Sequence, residues 1–172
     1  MARGLRGPFA VDIKPLEKVP GSVIHVRRTG ELDGLVVTDV RVPADQEIAV
    51  EADLAWAQED VVVTATVRTR WEAECRRCLG EASGEVVVEV REVYEPASDQ
   101  EETYALAGAQ VDLEPLVRDA VLLGLPAAPL CKEGCQGLCP TCGTDLNDGT
   151  CGCESSPPDP RWSALDALRE PT

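Results

Sequence analysis

The hydrophobic pattern of this chain changes period once. From Val23 to Tyr94 apolar residues recur mostly at every second position. Ile48, Val50, Ala52, Leu54 and Trp56 fall on one side of an extended segment, while Glu51 and Asp53 fall on the other. After the polar turn Gln58-Glu-Asp60, Val61, Val63, Ala65, Val67 and Thr69 alternate with Val62, Thr64, Thr66, Arg68 and Arg70, which predicts a long antiparallel hairpin. Val23–Arg27, Leu35–Val42 (stopped by Pro43) and Glu85–Tyr94 read as further strands, so a meander of about five strands is expected. From Asp112 the period becomes helical: Leu113, Leu116, Val117, Ala120 and Val121 share one stripe, Asp112 is a natural N-cap, and Gly124 with Pro126 ends the helix.

The segments outside this pattern are polar. Residues 1–20 are interrupted by Pro8, Pro15 and Pro20 and read as an arm that adds an edge strand at Phe9–Ile13. Glu95 to Gln110 reads as a mobile acidic loop. Ser155–Pro160 reads as a stiff linker, and Pro160–Arg169 as a short helix with Trp162, Leu165 and Leu168 on one stripe. The expected architecture is mainly β (α+β): an antiparallel meander or partly closed barrel, one packed helix and a C-terminal cysteine-rich zinc module. Residues 1–126 form the body with its arm, and residues 127–172 the module and tail.

Composition agrees with strands. Aromatics are 3% of 172 residues, so the core is built from Val, Leu, Ile and Ala. The formal charge of −15 argues against binding nucleic acid by charge alone. That charge is uneven: residues 1–41 carry seven basic against five acidic side chains, whereas residues 79–130 carry two against eleven. The chain shows no signal-peptide run and no membrane-length apolar window, so a cytoplasmic protein is expected.

The cysteines carry the chemistry. In a reducing compartment eight cysteines read as metal ligands or redox groups rather than disulfides. They come as four close pairs: Cys75 with Cys78, Cys131 with Cys135, Cys139 with Cys142, and Cys151 with Cys153. Cys139-Pro-Thr-Cys142-Gly143 has the form of a metal knuckle, since Pro140 pre-sets the turn and Gly143 permits the positive φ by which the chain leaves. Two tetrahedral zinc sites follow naturally: one from Cys139, Cys142, Cys151 and Cys153, the other from Cys75, Cys78, Cys131 and Cys135. Spacing leaves a rival open, with a single zinc in the tail and Cys75 and Cys78 as free thiols. An iron–sulfur cluster takes the same ligands, although the tight Cys-x-Cys pair and short loops favour zinc.

No catalytic constellation is evident. The single histidine, His25, stands in a strand with no serine or cysteine motif near it. A redox role for Cys75-Arg-Arg-Cys78 draws support from its two arginines, which lower thiol pKa, but the pair is not at a strand-to-helix junction. The acidic stretch from Glu81 to Glu102 reads as a solvated face. Arg68, Arg70, Arg76 and Arg77, joined by Arg27 and Arg28 if the strands pair, are candidates for a face that contacts RNA backbone, against a plainer reading as solvated arginines.

Cys75-Arg-Arg-Cys78-Leu79, the run Asp112–Pro126, the run Leu130–Asn147 and Cys151-Gly-Cys153 closely resemble the bacterial YceD family. The resemblance covers Ile13 to about Cys153. It implies a role in the synthesis, processing or stability of large-subunit (23S) ribosomal RNA, without an enzyme activity. The expected partners are a large-subunit precursor, ribosomal RNA or a basic ribosomal protein, with no membrane and no small-molecule substrate. The contrasting expectation is a thiol redox protein or enzyme using Cys75 and Cys78.

Overall fold

A computed structural model describes residues 7–17, 21–96, 103–153 and Arg161. The tail helix and linker expected after Cys153 lie outside the described residues, except for Arg161, as does the stretch 97–102 of the acidic loop. The elements in chain order are β1 (Ala10–Asp12), α1 (Lys14–Glu17), β2 (Val23–Gly30), β3 (Val36–Val37), β4 (Val40–Arg41), β5 (Ile48–Ala57), β6 (Asp60–Glu74), β7 (Glu81–Glu95), β8 (Tyr104–Ala105), β9 (Gln110–Asp112) and α2 (Glu114–Gly124).

β6 is the central strand. β7 pairs along one edge from Val61↔Tyr94 to Glu74↔Glu81, and β5 pairs along the other from Ala57↔Asp60 to Ala49↔Arg68. β2 extends the sheet beyond β5, and β4 meets β6 past the end of β5 at Arg41↔Glu72. The alternation read from sequence is the one observed: Ile48, Val50, Ala52 and Leu54 of β5 and Val61, Val63, Ala65, Val67 and Thr69 of β6 are all buried. At about 3.3 Å per residue, the fifteen-residue strands β6 and β7 make a ribbon about 50 Å long.

The sheet is open rather than closed into a barrel, with β2 at one edge and β7 with β8 at the other. Closure is unnecessary because other elements cover the apolar face. Leu116, Val117, Ala120 and Val121 of α2 are buried against it. Gly124 makes the close approach possible: a Cβ there would stand 2.5 Å from Val88 Cγ2 and 2.9 Å from Val86 Cγ1.

The N-terminal arm is part of the core. β1 pairs with β9 in a separate two-stranded sheet instead of joining the main one. Phe9, Val11, Ile13 and Leu16 are at most 1% exposed, because the alternating run Phe9–Ile13 turns its apolar side into the main core. Leu35–Val42 is not one strand: Thr38, at φ 58°, turns the chain and splits it into the short hairpin β3–β4. Within the expected acidic loop, Tyr104–Ala105 forms β8, which runs parallel to β7. Asp112 does serve the helix start, accepting a hydrogen bond from Glu114 N at 3.0 Å, although it stands one residue before the N-cap Leu113. Among the described residues no helix is long and apolar enough to cross a membrane.

Candidate metal centres

The β6–β7 ribbon ends in the knuckle Cys75–Gly80. Cys75 N donates to Gly80 O (2.7 Å) and Leu79 N to Cys75 O (2.9 Å). The tail repeats the same pattern, with Cys139 N donating to Thr144 O (2.8 Å) and Gly143 N to Cys139 O (2.9 Å). Leu79 and Gly143 occupy equivalent places and both have positive φ, 60° and 73°. The two Cys-x-x-Cys turns are therefore one backbone device used twice.

The eight sulfurs gather into two groups of four. Cys75, Cys78, Cys131 and Cys135 form one and Cys139, Cys142, Cys151 and Cys153 the other, with the Sγ atoms of each group all within 4.8 Å of one another. Four sulfurs at ~2.3 Å from a tetrahedral zinc lie about 3.8 Å apart. The observed Cys75–Cys135 and Cys78–Cys131 separations, 3.8 and 3.6 Å, match that spacing. The residues therefore fit a tetrahedral thiolate-bound metal, and Cys75 and Cys78 are not an isolated dithiol.

Local hydrogen bonds prepare the sulfurs for the thiolate form. The Cys75 thiol is drawn down to about 6, chiefly by the Cys78 backbone N–H, and Cys139 is drawn down to about 6 by the N–H groups of Cys142 and Thr141. The Asn147 side-chain amide lowers Cys135, and the Thr144 hydroxyl lowers Cys142. Other members move the opposite way. Cys153 rises to about 12 because Cys142 crowds it, and Cys131 to about 12 because its sulfur is withdrawn from water and faces Cys78 and Cys135. Four sulfurs this close cannot all carry charge alone, and a divalent cation held among them would supply the missing counter-charge.

The first group joins what the sequence divides at residue 126, since two of its cysteines come from the ribbon and two from the tail. Backbone contacts reinforce the joint: Arg76 N donates to Pro129 O (2.9 Å) and Leu138 N to Arg77 O (3.1 Å). Gly137 is needed there, because its φ is 72° and a Cβ would stand 3.0 Å from Arg77 O. Asn147, in the loop between Cys142 and Cys151, reaches the first group, donating from Nδ2 to Cys135 Sγ (3.4 Å) while its Oδ1 accepts from Gln136 N (2.9 Å). In sequence Asn147 reads only as a turn residue, and nothing in the spacing points to its sulfur contact.

The six candidate RNA-contacting arginines do not share one face. Arg27, Arg68 and Arg70 lie on the sheet face opposite the core, but Arg27 is paired with Glu51 (3.2 Å), and Arg70 lies opposite Glu85 on β7. Arg28 is on the core side, its Nε reaching Ala10 O at 3.4 Å. Arg76 pairs with Asp39 (2.9 Å), and Arg77 Nη1 donates to Cys135 O (2.9 Å) at the ribbon tip. Strand alternation separates neighbours such as Arg27 and Arg28. His25 is also on the outer face, its Nδ1 2.8 Å from Asp53 Oδ1.

Comparison with known proteins places this architecture. The family described as "Large ribosomal RNA subunit accumulation protein YceD" matches residues 63–169, from β6 through both cysteine groups and into the tail. The chain belongs to the YceD family. The family match begins later than Ile13 and runs past Cys153, so it includes tail residues that the motif resemblance leaves out. An uncharacterized protein of Mycobacterium tuberculosis is 31% identical over 98% of this chain and 85% of its own length. An uncharacterized protein of Mycobacterium leprae is 32% identical, covering 84% and 70%. A protein of Arabidopsis thaliana named as a chloroplastic homolog of the large ribosomal RNA subunit accumulation protein is 33% identical over 61 residues, which is 36% of this chain and 19% of that protein. No solved structure matches.

Proposed function

We propose that this YceD-family protein is a non-enzymatic factor that promotes accumulation of large-subunit ribosomal RNA in the cytoplasm, and that two structural zinc ions hold its C-terminal part. The observation that carries the reading is the family match over residues 63–169, a family described by that role. The gathering of all eight cysteines into two sets of four supports a structural use of the thiols. Each zinc would be held by one set, neutralising its thiolates and fixing the tail against the ribbon.

A deletion strain tests the role. Mature large subunits and their RNA should fall relative to small subunits, with the protein sedimenting among large-subunit precursors. An unchanged subunit profile would sink the proposal. For the metal, purified protein should carry two zinc ions per chain by elemental analysis, and a brown chromophore or absence of zinc would reject that part.

A further inference from the structure

Opposite the metal-bearing tip, α2 and the β7–β8 edge enclose a cleft of about 940 Å³. Its walls are apolar over much of their length, with Val90, Leu116, Ala120, Leu122 and Leu123 among them. Leu123, 87% exposed, stands on the open rim of the cleft. The polar part of the wall has one sign. Glu92, Asp112 and Asp119 line the cleft, and among the described residues no lysine or arginine does.

Glu92 breaks the strand pattern that surrounds it. By register it stands opposite Val63, on the core-facing side of β7 with Val86, Val88, Val90 and Tyr94, while Glu85 and Glu89 point to the other face. The acidic stretch is thus not a single solvated face. Glu92 forms no ion pair among the described residues. Beside it Tyr94 and Tyr104 stack with ring centroids 5.1 Å apart, and Tyr104 donates its hydroxyl to Asp119 Oδ2 at 2.8 Å. Tyr94 is committed inward, donating to Asp112 O at 2.9 Å. A carboxylate on the inner wall, a second held by the Tyr104 hydroxyl, and the Tyr104 ring in the same lining are groups suited to an ammonium or guanidinium. The leucines on the helix rim offer a place for an apolar side chain next to it.

We propose that this cleft docks a lysine- or arginine-rich protein segment that also carries an apolar anchor, of the kind basic ribosomal proteins expose before they meet RNA. The assignment rests on the proposed role in large-subunit accumulation, and the charge of the region favours it over RNA: residues 79–130 carry eleven acidic against two basic side chains, which repels phosphate. In this arrangement the protein holds a basic partner by its cationic segment until RNA competes for it.

The test uses the full-length zinc-loaded protein and the proteins extracted from purified large ribosomal subunits, separated and assayed one by one by fluorescence anisotropy, with naked 23S ribosomal RNA as a parallel probe. At least one basic protein should bind, with affinity falling as salt rises. The double variant Glu92→Lys with Asp119→Lys should weaken it tenfold or more. Leu123→Arg should do the same without threatening the fold, since that side chain is already in water. Glu85→Lys with Glu89→Lys makes the same charge change on the opposite face and should bind as wild type.

Equal loss in both double variants, unchanged binding in the cleft variants, or RNA binding that the cleft variants abolish would each overturn the proposal. The deletion strain keeps the two readings separate. A normal subunit profile alongside specific cleft binding would reject the cellular role and keep the docking site. A subunit defect rescued fully by Leu123→Arg would reject the docking site and keep the role.

Discussion

Cys131→Ser isolates what the first metal group does, because serine keeps the side chain's size at an exposed position and removes one thiolate. In the present structure Cys131 lies 3.6 Å from Cys78, and 53 residues separate them along the chain. In the chain-entropy account, a cross-link spanning that interval constrains the unfolded chain by about 4 kcal/mol. Without it, the tail is held to the ribbon by Arg76 N to Pro129 O, Leu138 N to Arg77 O and Arg77 Nη1 to Cys135 O. At about 1 kcal/mol each these bonds sum to about 3 kcal/mol. Ordering residues 130–138 costs about 1–2 kcal/mol per residue, several times more. The expected result is zinc falling from two ions to one by native mass spectrometry. Amide exchange should accelerate across 130–138, while β5, β6 and β7 keep their protection, since their core lies elsewhere. Retention of two zinc ions would refute the ligand assignment, and loss of protection throughout the sheet would refute the separation of metal from core.

Asn147→Ala removes the amide that lowers Cys135 and should weaken zinc retention against a competing chelator by about 10–100-fold; unchanged retention would show that the contact is incidental. Gly124→Ala gains at most about 1 kcal/mol of helix propensity but drives a Cβ into the stiff, β-branched Val88, an overpacking cost of about 1–3 kcal/mol. A melting temperature lowered by about 2–4 °C is expected, and a raised one would contradict the packing. Leu79→Gly relieves a left-handed leucine worth about 1–2 kcal/mol but adds about 0.5–1 kcal/mol of backbone entropy, so stability should hold or rise by up to about 1 kcal/mol; a clear loss would show that the leucine side chain packs. Acid should release the metal. Cys75 and Cys139 have folded values near 6, below the ordinary 9.0, so their contribution is complete above pH 9 and is lost as pH falls through about 6. Zinc retention that does not fall as the pH is lowered through about 6 would contradict those environments.

The long strands and the helix were legible because each buries one face of a regular element, so burial imprints its period on the residues. Ile48–Trp56 and Val61–Thr69 show period two, and Leu113–Val121 shows the helical stripe. The core role of the N-terminus was not legible, because β1 has only three residues and its partner β9 lies about a hundred residues away. A short strand carries too few alternations to reveal which sheet it joins. Leu35–Val42 misleads for a related reason: its apolar run continues through the turn at Thr38, whose left-handed backbone leaves no mark in hydrophobicity. The cysteine pairing agrees with the first of the readings that spacing allows, but spacing alone could not choose it, since the first group needs the β6–β7 knuckle beside the tail. The arginines failed to assemble because alternation and ion pairing distribute them over two faces and the tip.

β7 connects the two features on which the functional reading depends. At its start, Glu81 follows the knuckle that offers Cys75 and Cys78 to the tail, and toward its end Glu92 enters the cleft. Eleven residues of extended strand separate them, about 36 Å at ~3.3 Å per residue. Neither end contributes a side chain to the other, so lesions at the two ends should act independently on stability and binding. The metal groups then answer a mechanical need. The tail has few buried apolar residues among those described, and Cys135 and Cys139 are themselves two of them. A segment with so little core cannot fix its position by burial, and two sets of four cysteines, each able to hold a metal ion, offer another means. The cleft needs no such help, because α2 and β7 shape it from the main hydrophobic core. On the proposed reading, zinc would order the surface at the ribbon tip, where Leu79 and Arg77 are exposed, and the proposed docking cleft at the far end would not depend on it.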